Sequence, residues 1–158
     1  MRRTFASALL KEAKKNQKIV LITMDLGFKM WDEFKSTLPG QYIGLPASEQ
    51  AGIGVAAGIA LSGGLPFVYS ITPFLLYRPL EAIRNYLHQE KIGVNLVGSG
   101  RDKDYLDDGF THWCEEAKPM LNILSNIKQF WPEDKEEIPY MVNKMINNDK
   151  PTFISLKR

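Results

Sequence analysis

The sequence predicts an α/β fold with three layers: a mainly parallel β-sheet of about six strands, with helices on both faces. Three observations predict it. Short apolar runs alternate with segments of helical periodicity from one end of the chain to the other. The run Lys18 to Met24 (KIVLITM) is apolar without alternation, as a strand covered on both faces requires. Turn-forming residues, such as Pro39-Gly40 and Ser62-Gly63-Gly64, punctuate the junctions.

Taken in order, Phe5, Ala6, Leu9, Leu10 and Ala13 recur at helical spacing, and Asn16-Gln17 ends that helix. After the first strand, Asp25-Leu26-Gly27 turns the chain, and Trp31 to Leu38 forms a short helix stopped by Pro39-Gly40. Gln41 to Leu45 is the second strand, Ala47 to Leu61 a helix and Pro66 to Ile71 the third strand. Leu75 to Glu90 has the pattern of a long amphipathic helix, whose regular part starts near Pro79 because proline cannot donate within a helix. Gly93 to Gly98 is a strand and Ser99 to His112 a long charged loop. A helix around Glu115 to Ser125, a strand near Ile127 to Trp131, a helix from Pro132 to Asn147 and a strand from Thr152 to Leu156 complete the pattern.

The totals narrow the function. The 158 residues suit one domain, expected over 1–158, with 44% hydrophobic and 24% charged residues. Twenty basic against 18 acidic residues leave a net charge of +2, too balanced for a nucleic-acid partner. One cysteine, Cys114, precludes an intrachain disulfide and makes a reducing, cytoplasmic setting the expectation. No signal peptide is legible near Met1. The most apolar stretch, Ala51 to Leu61, falls far short of the ~20 residues of a membrane span.

In open parallel sheets, ligands sit beyond the carboxyl ends of the strands. The segments to inspect are therefore Asp25, Pro46 to Glu49, Thr72 to Tyr77 and Ser99 to His112. Glu49 stands alone at a strand-to-helix junction, and the next nine residues carry no charge. It reads either as a first-turn carboxylate favoured by the helix dipole, or as a carboxyl group in an apolar pocket, where burial favours the protonated form and makes proton exchange possible. Gly52, Gly54 and Gly58 are not a dinucleotide fingerprint, because they lie inside the helix and not in the turn after the strand. They suit close helix packing, within the chain or against a second one. Phe74 and Tyr77 read as core residues or as aromatic walls of a site. Asp25 reads as a turn cap and His88 as a solvated surface histidine.

Four segments, in order, resemble the pyrimidine-binding domain of the transketolase family. They are Thr23-Met24-Asp25-Leu26-Gly27; Ala47-Ser48-Glu49-Gln50 with the following glycines; Pro66 to Ser70 leading into Pro73-Phe74-Leu75 and Arg78 to Asn85; and Asp108-Gly109-Phe110-Thr111-His112. The resemblance spans essentially the whole chain. It implies that Glu49 hydrogen-bonds N1′ of the aminopyrimidine of thiamine diphosphate, so that the cofactor can activate its own thiazolium carbon. It also implies that Phe74 stacks on the pyrimidine with Tyr77 as a second aromatic, that Asp25 lies on the thiazolium side, and that Asp108 and His112 contact substrate hydroxyls. Arg78 and Arg84 are expected in ion pairs or at an interface.

The sequence departs from the family at Phe110, where proline is usual, at Trp113, and in the charged run Gly100 to Asp107. These changes surround the substrate side. The family's Gly-Asp-Gly motif and following asparagine, which hold magnesium and the diphosphate, have no counterpart here. The resemblance therefore implies that Mg2+ and the diphosphate sit on a partner chain, in an α2β2 assembly. The activity implied is transfer of a two-carbon ketol unit between sugar or sugar phosphate substrates. Two alternatives remain: a catalytically degenerate interaction or regulatory subunit, and a thiamine diphosphate enzyme with another reaction, such as decarboxylation.

Overall fold

The computed structural model describes residues 1–158. Six strands form one sheet: β1 (Ile19–Met24), β2 (Tyr42–Leu45), β3 (Leu65–Ile71), β4 (Asn95–Ser99), β5 (Lys128–Phe130) and β6 (Thr152–Leu156). Their order is β2-β1-β3-β4-β6-β5, and every pair is parallel. The helices are α1 (Arg2–Ala13), α2 (Asp32–Thr37), α3 (Glu49–Leu61), α4 (Thr72–Tyr77), α5 (Leu80–Ala82), α6 (Ala117–Ile123) and α7 (Ile138–Ile146).

Strand residues alternate between two cores because successive side chains point to opposite faces of a strand. Ile22, Met24, Val68, Leu96 and Phe153 join Ile53, Leu75 and Leu121 on one face. Leu21, Phe67, Val97 and Ile154 join Phe5, Leu9, Phe34 and Val142 on the other. This explains why the strand runs are apolar without alternation.

Two helices differ from the sequence expectation. The segment Leu75 to Glu90 is not one regular helix. It breaks at Pro79, resumes as α5 and continues as π-helical turns over Ile83–Gln89. The missing N–H of Pro79 explains the break. The helix expected from Pro132 starts only at Ile138, behind a 3₁₀ turn over Lys135–Glu137. There the Asp134 side chain and the Glu137 side chain each accept a backbone N–H of the other end of the turn, a capping box that sets the start later than the proline suggests. His88 is a third correction. It is half-buried, its Nδ1 accepting the Asn126 N–H at 3.3 Å and its carbonyl accepting Asn126 Nδ2 at 2.8 Å.

The chain runs from β1 outward to β2, then crosses back to β3 on the other side of β1. The carboxyl ends of β1 and β3 thus flank the topological switch point, where open α/β sheets form their binding crevice. Helix α3 makes that crossing and packs across β3 and β1. Its first residue is delivered to the crevice. No helix is long and apolar enough to cross a membrane.

Candidate functional site

Glu49 opens α3 and is 2% exposed. A buried carboxylate without partners costs several kcal/mol, and Glu49 has partners. Ser70, on β3, donates its hydroxyl to Oε1 at 3.1 Å. Arg78 Nη1 donates to Oε1 at 3.0 Å and Oε2 at 2.9 Å. Of the two readings, the first-turn carboxylate stands and the apolar pocket is corrected: the carboxyl group is buried but paired with polar partners. Its position at the helix N-terminus adds a favourable dipole.

Arg78 ends α4 immediately before the break at Pro79. Its side chain is 46% exposed, and its Cζ lies 3.8 Å from the centroid of the Phe74 ring. Phe74 in turn meets His112 edge-on, with ring centroids 4.9 Å apart. The structure thus joins three residues expected at the site, Glu49, Phe74 and His112, through a fourth. The sequence suggests Arg78 as an ion-pairing or interface residue, but does not make it the partner of Glu49. Ser70 closes one of the segments that carry the resemblance, but nothing in the sequence makes it a partner of Glu49.

The remaining candidates lie elsewhere. Tyr77 packs against the core beneath α4 and touches neither Glu49 nor the Phe74 ring through polar or aromatic contact. Its hydroxyl is buried without a hydrogen-bond partner, and burial together with the neighbouring Glu116 carboxylate pushes its pKa up. Asp25 follows β1 in the left-handed region (φ 54°) and lines an open cavity of about 620 Å³. Thr23, Tyr42, Gly44 and Pro46 line the same cavity, and the Thr23 and Tyr42 hydroxyls are 2.8 Å apart. Asp108 is exposed and lies 3.8 Å from Arg158 Nη1. Arg84 is exposed and donates only to its neighbour Asn85.

The Ser99–His112 segment is charged, as expected, but it is anchored. Arg101 is 8% exposed. Its guanidinium donates to the Pro132 carbonyl at 2.7 Å, the Ser155 carbonyl at 3.0 Å, Ser155 Oγ at 3.2 Å and Glu133 Oε1 at 2.8 Å. The segment bearing His112 is thereby fastened to the end of β6 and to the connection after β5. At its tip Leu106 and Phe110 stand exposed.

Of the glycines in α3, only Gly52 serves close packing within the chain: a Cβ there would meet Met24 Sδ at 2.9 Å. Gly54 and Gly58 face open space.

Comparison with known proteins places the chain in a family. A family model described as "Transketolase, pyrimidine binding domain" matches residues 1–158. A 6-deoxy-6-sulfo-D-fructose transketolase subunit SqwH of Clostridium sp. (strain MSTE9) is 28% identical, over 100% of this chain and 49% of its own length. An apulose-4-phosphate transketolase subunit of Phocaeicola vulgatus is 26% identical, over 99% of this chain and 51% of its own length. The chain thus spans about half the length of these relatives. A solved split-gene transketolase, an inactive β4 tetramer, superposes with a TM-score of 0.87 at 26% identity, covering 98% of this chain and 50% of that one. With its whole length matched and its sheet shared, the chain belongs to the transketolase pyrimidine-binding domain family.

Proposed function

We propose that this chain is the pyrimidine-binding subunit of a two-chain, thiamine diphosphate-dependent transketolase-like enzyme. It transfers a two-carbon ketol unit between sugar or sugar phosphate substrates in the cytoplasm. Its partner is a diphosphate-binding chain that also carries Mg2+, in an α2β2 assembly. The observation that carries this reading is the buried carboxylate of Glu49 at the switch point, within one contact of an aromatic face.

When bound, thiamine diphosphate supplies a nucleophilic carbon and an electron sink. The residues present suit its pyrimidine end. Glu49 and Phe74 already hold, in Arg78, a flat, cationic N–H donor against a carboxylate and a ring face. An aminopyrimidine offers the same chemistry. In this reading Glu49 shares a proton at N1′ and Phe74 stacks on the ring. Tyr77 closes the wall behind it, and Asp25 faces the thiazolium side. His112 and Asp108 bind substrate hydroxyls, and His112 is the group placed to hold a proton there. Burial keeps water from competing for Glu49.

Calorimetry of the chain mixed with a diphosphate-binding partner, thiamine diphosphate and Mg2+ tests this. Binding by the mixture, lost in Glu49→Ala, is the expected result; no binding overturns it. The exposed Leu106 and Phe110 favour a second reading, an interaction subunit without catalysis. Cofactor-free assembly with the partner would support that instead.

A further inference from the structure

One guanidinium holds two places at once. Arg78 Nη1 spans both oxygens of Glu49, while its Cζ lies 3.8 Å over Phe74. These are the two surfaces that the proposed function assigns to the aminopyrimidine: the acceptor for N1′ and the stacking face. A flat ring cannot lie on the face of Phe74 that the guanidinium covers, because both would occupy the same space at a contact distance of roughly 3.5–4 Å. We infer that Arg78 is a displaceable internal stand-in for the pyrimidine, a latch that must swing off Phe74 and Glu49 before the ring can enter.

The surroundings permit the movement. Arg78 is the more exposed member of the pair, 46% against 1% for the Glu49 side chain. Its guanidinium hydrogen-bonds to no residue except Glu49. It sits at the end of α4, where Pro79 interrupts the helix, so its swing disturbs no helical ladder. Ser70 stays behind on Oε1, holding the carboxylate in place when the cation leaves. The pairing also has a use: in the empty chain it compensates a charge that burial would otherwise make costly. Arg78 is thus a positioning residue that pairs with Glu49 and holds its carboxylate in place until the pyrimidine takes its place.

The consequence is quantitative. A ligand that must displace an internal competitor binds with its intrinsic affinity reduced by the open fraction. Removing the competitor restores that factor. This inference rests on the pyrimidine-binding reading, so its test separates the two.

The experiment titrates the full chain, assembled with its diphosphate-binding partner, with thiamine, which carries the pyrimidine without the diphosphate, and follows binding by NMR at millimolar ligand. Arg78→Met is expected to bind thiamine about tenfold or more tightly than wild type. Arg78→Lys keeps a charge for Glu49 without the flat group and should fall between, which guards against misfolding of Arg78→Met. In the wild-type chain, the Arg78 side-chain ¹⁵N resonances should move from a hydrogen-bonded to a solvent-like position as thiamine binds. Equal binding by wild type and both variants, or Arg78 resonances unmoved at saturation, overturns the latch and leaves the pyrimidine site standing. Binding by neither wild type nor variant overturns both.

Discussion

Phe74 lies between Arg78 and His112, with the guanidinium carbon 3.8 Å from one face and the imidazole edge-on at 4.9 Å. Through Arg78, this single ring connects the buried Glu49 to the loop that bears His112. Removing it, in Phe74→Ala, deletes the stacking surface and the bridge together. Cofactor affinity in the assembled enzyme should fall by a factor of about 2–12, the 0.5–1.5 kcal/mol that aromatic stacking contributes beyond area burial. Calorimetry measures it.

Glu49→Gln keeps the shape and the bond to Ser70 but cannot share a proton at N1′ in the same way. Turnover in the assembled enzyme should be abolished while the fold persists. A ketol-transfer assay alongside circular dichroism checks this, and full activity would refute the role of Glu49.

Arg101→Met leaves the carbonyls of Pro132 and Ser155 without their buried donor. Each unsatisfied group costs about 1–3 kcal/mol, so for the two carbonyls a loss of about 2–6 kcal/mol is expected in urea unfolding. Hydrogen exchange should accelerate over residues 100–113, because the fastening of that loop is gone.

Gly100 has φ 82°, and a Cβ there would meet the Tyr105 ring at 2.3 Å. The left-handed backbone and the lack of space act together, so Gly100→Ala should destabilise by more than the roughly 1 kcal/mol of backbone strain alone. Thermal unfolding would register it. The Tyr105 hydroxyl, 2.8 Å from Ser99 Oγ, would be displaced with its ring.

Burial pushes the Cys114 thiol up to about 11. At neutral pH it stays a thiol and is a poor nucleophile. A thiol reagent should modify the native chain far more slowly than the urea-unfolded chain. In the acid range the sign is opposite. Glu133 is held below the usual carboxyl range by Lys157 and Arg101, and Glu137 by the N–H groups of Asp134 and Glu133. Depressed carboxyl groups contribute stability above their unfolded pKa and lose it as pH falls through the folded value. Wild-type stability should therefore fall on acidification, and Glu137→Gln should flatten that fall in urea titrations taken at successive pH values.

The pattern of residues along the chain suffices for the parallel α/β architecture, because strands covered on both faces must be apolar throughout and Gly and Pro must stand where the chain turns. It also suffices to put Glu49, Phe74 and His112 at strand ends, since each follows a legible strand or loop. Local pattern misjudges the start of α7, where a side-chain box outweighs the proline, and the continuity of the helix after Phe74. What Glu49 meets is a matter of long-range folding. Arg78 stands 29 residues away along the chain, and the crossing of α3 over the sheet brings the two together. No periodicity encodes that contact, because it depends on how two separate strand ends converge. The same holds for Arg101 and Ser155, 54 residues apart, joined only because β6 lies beside β4.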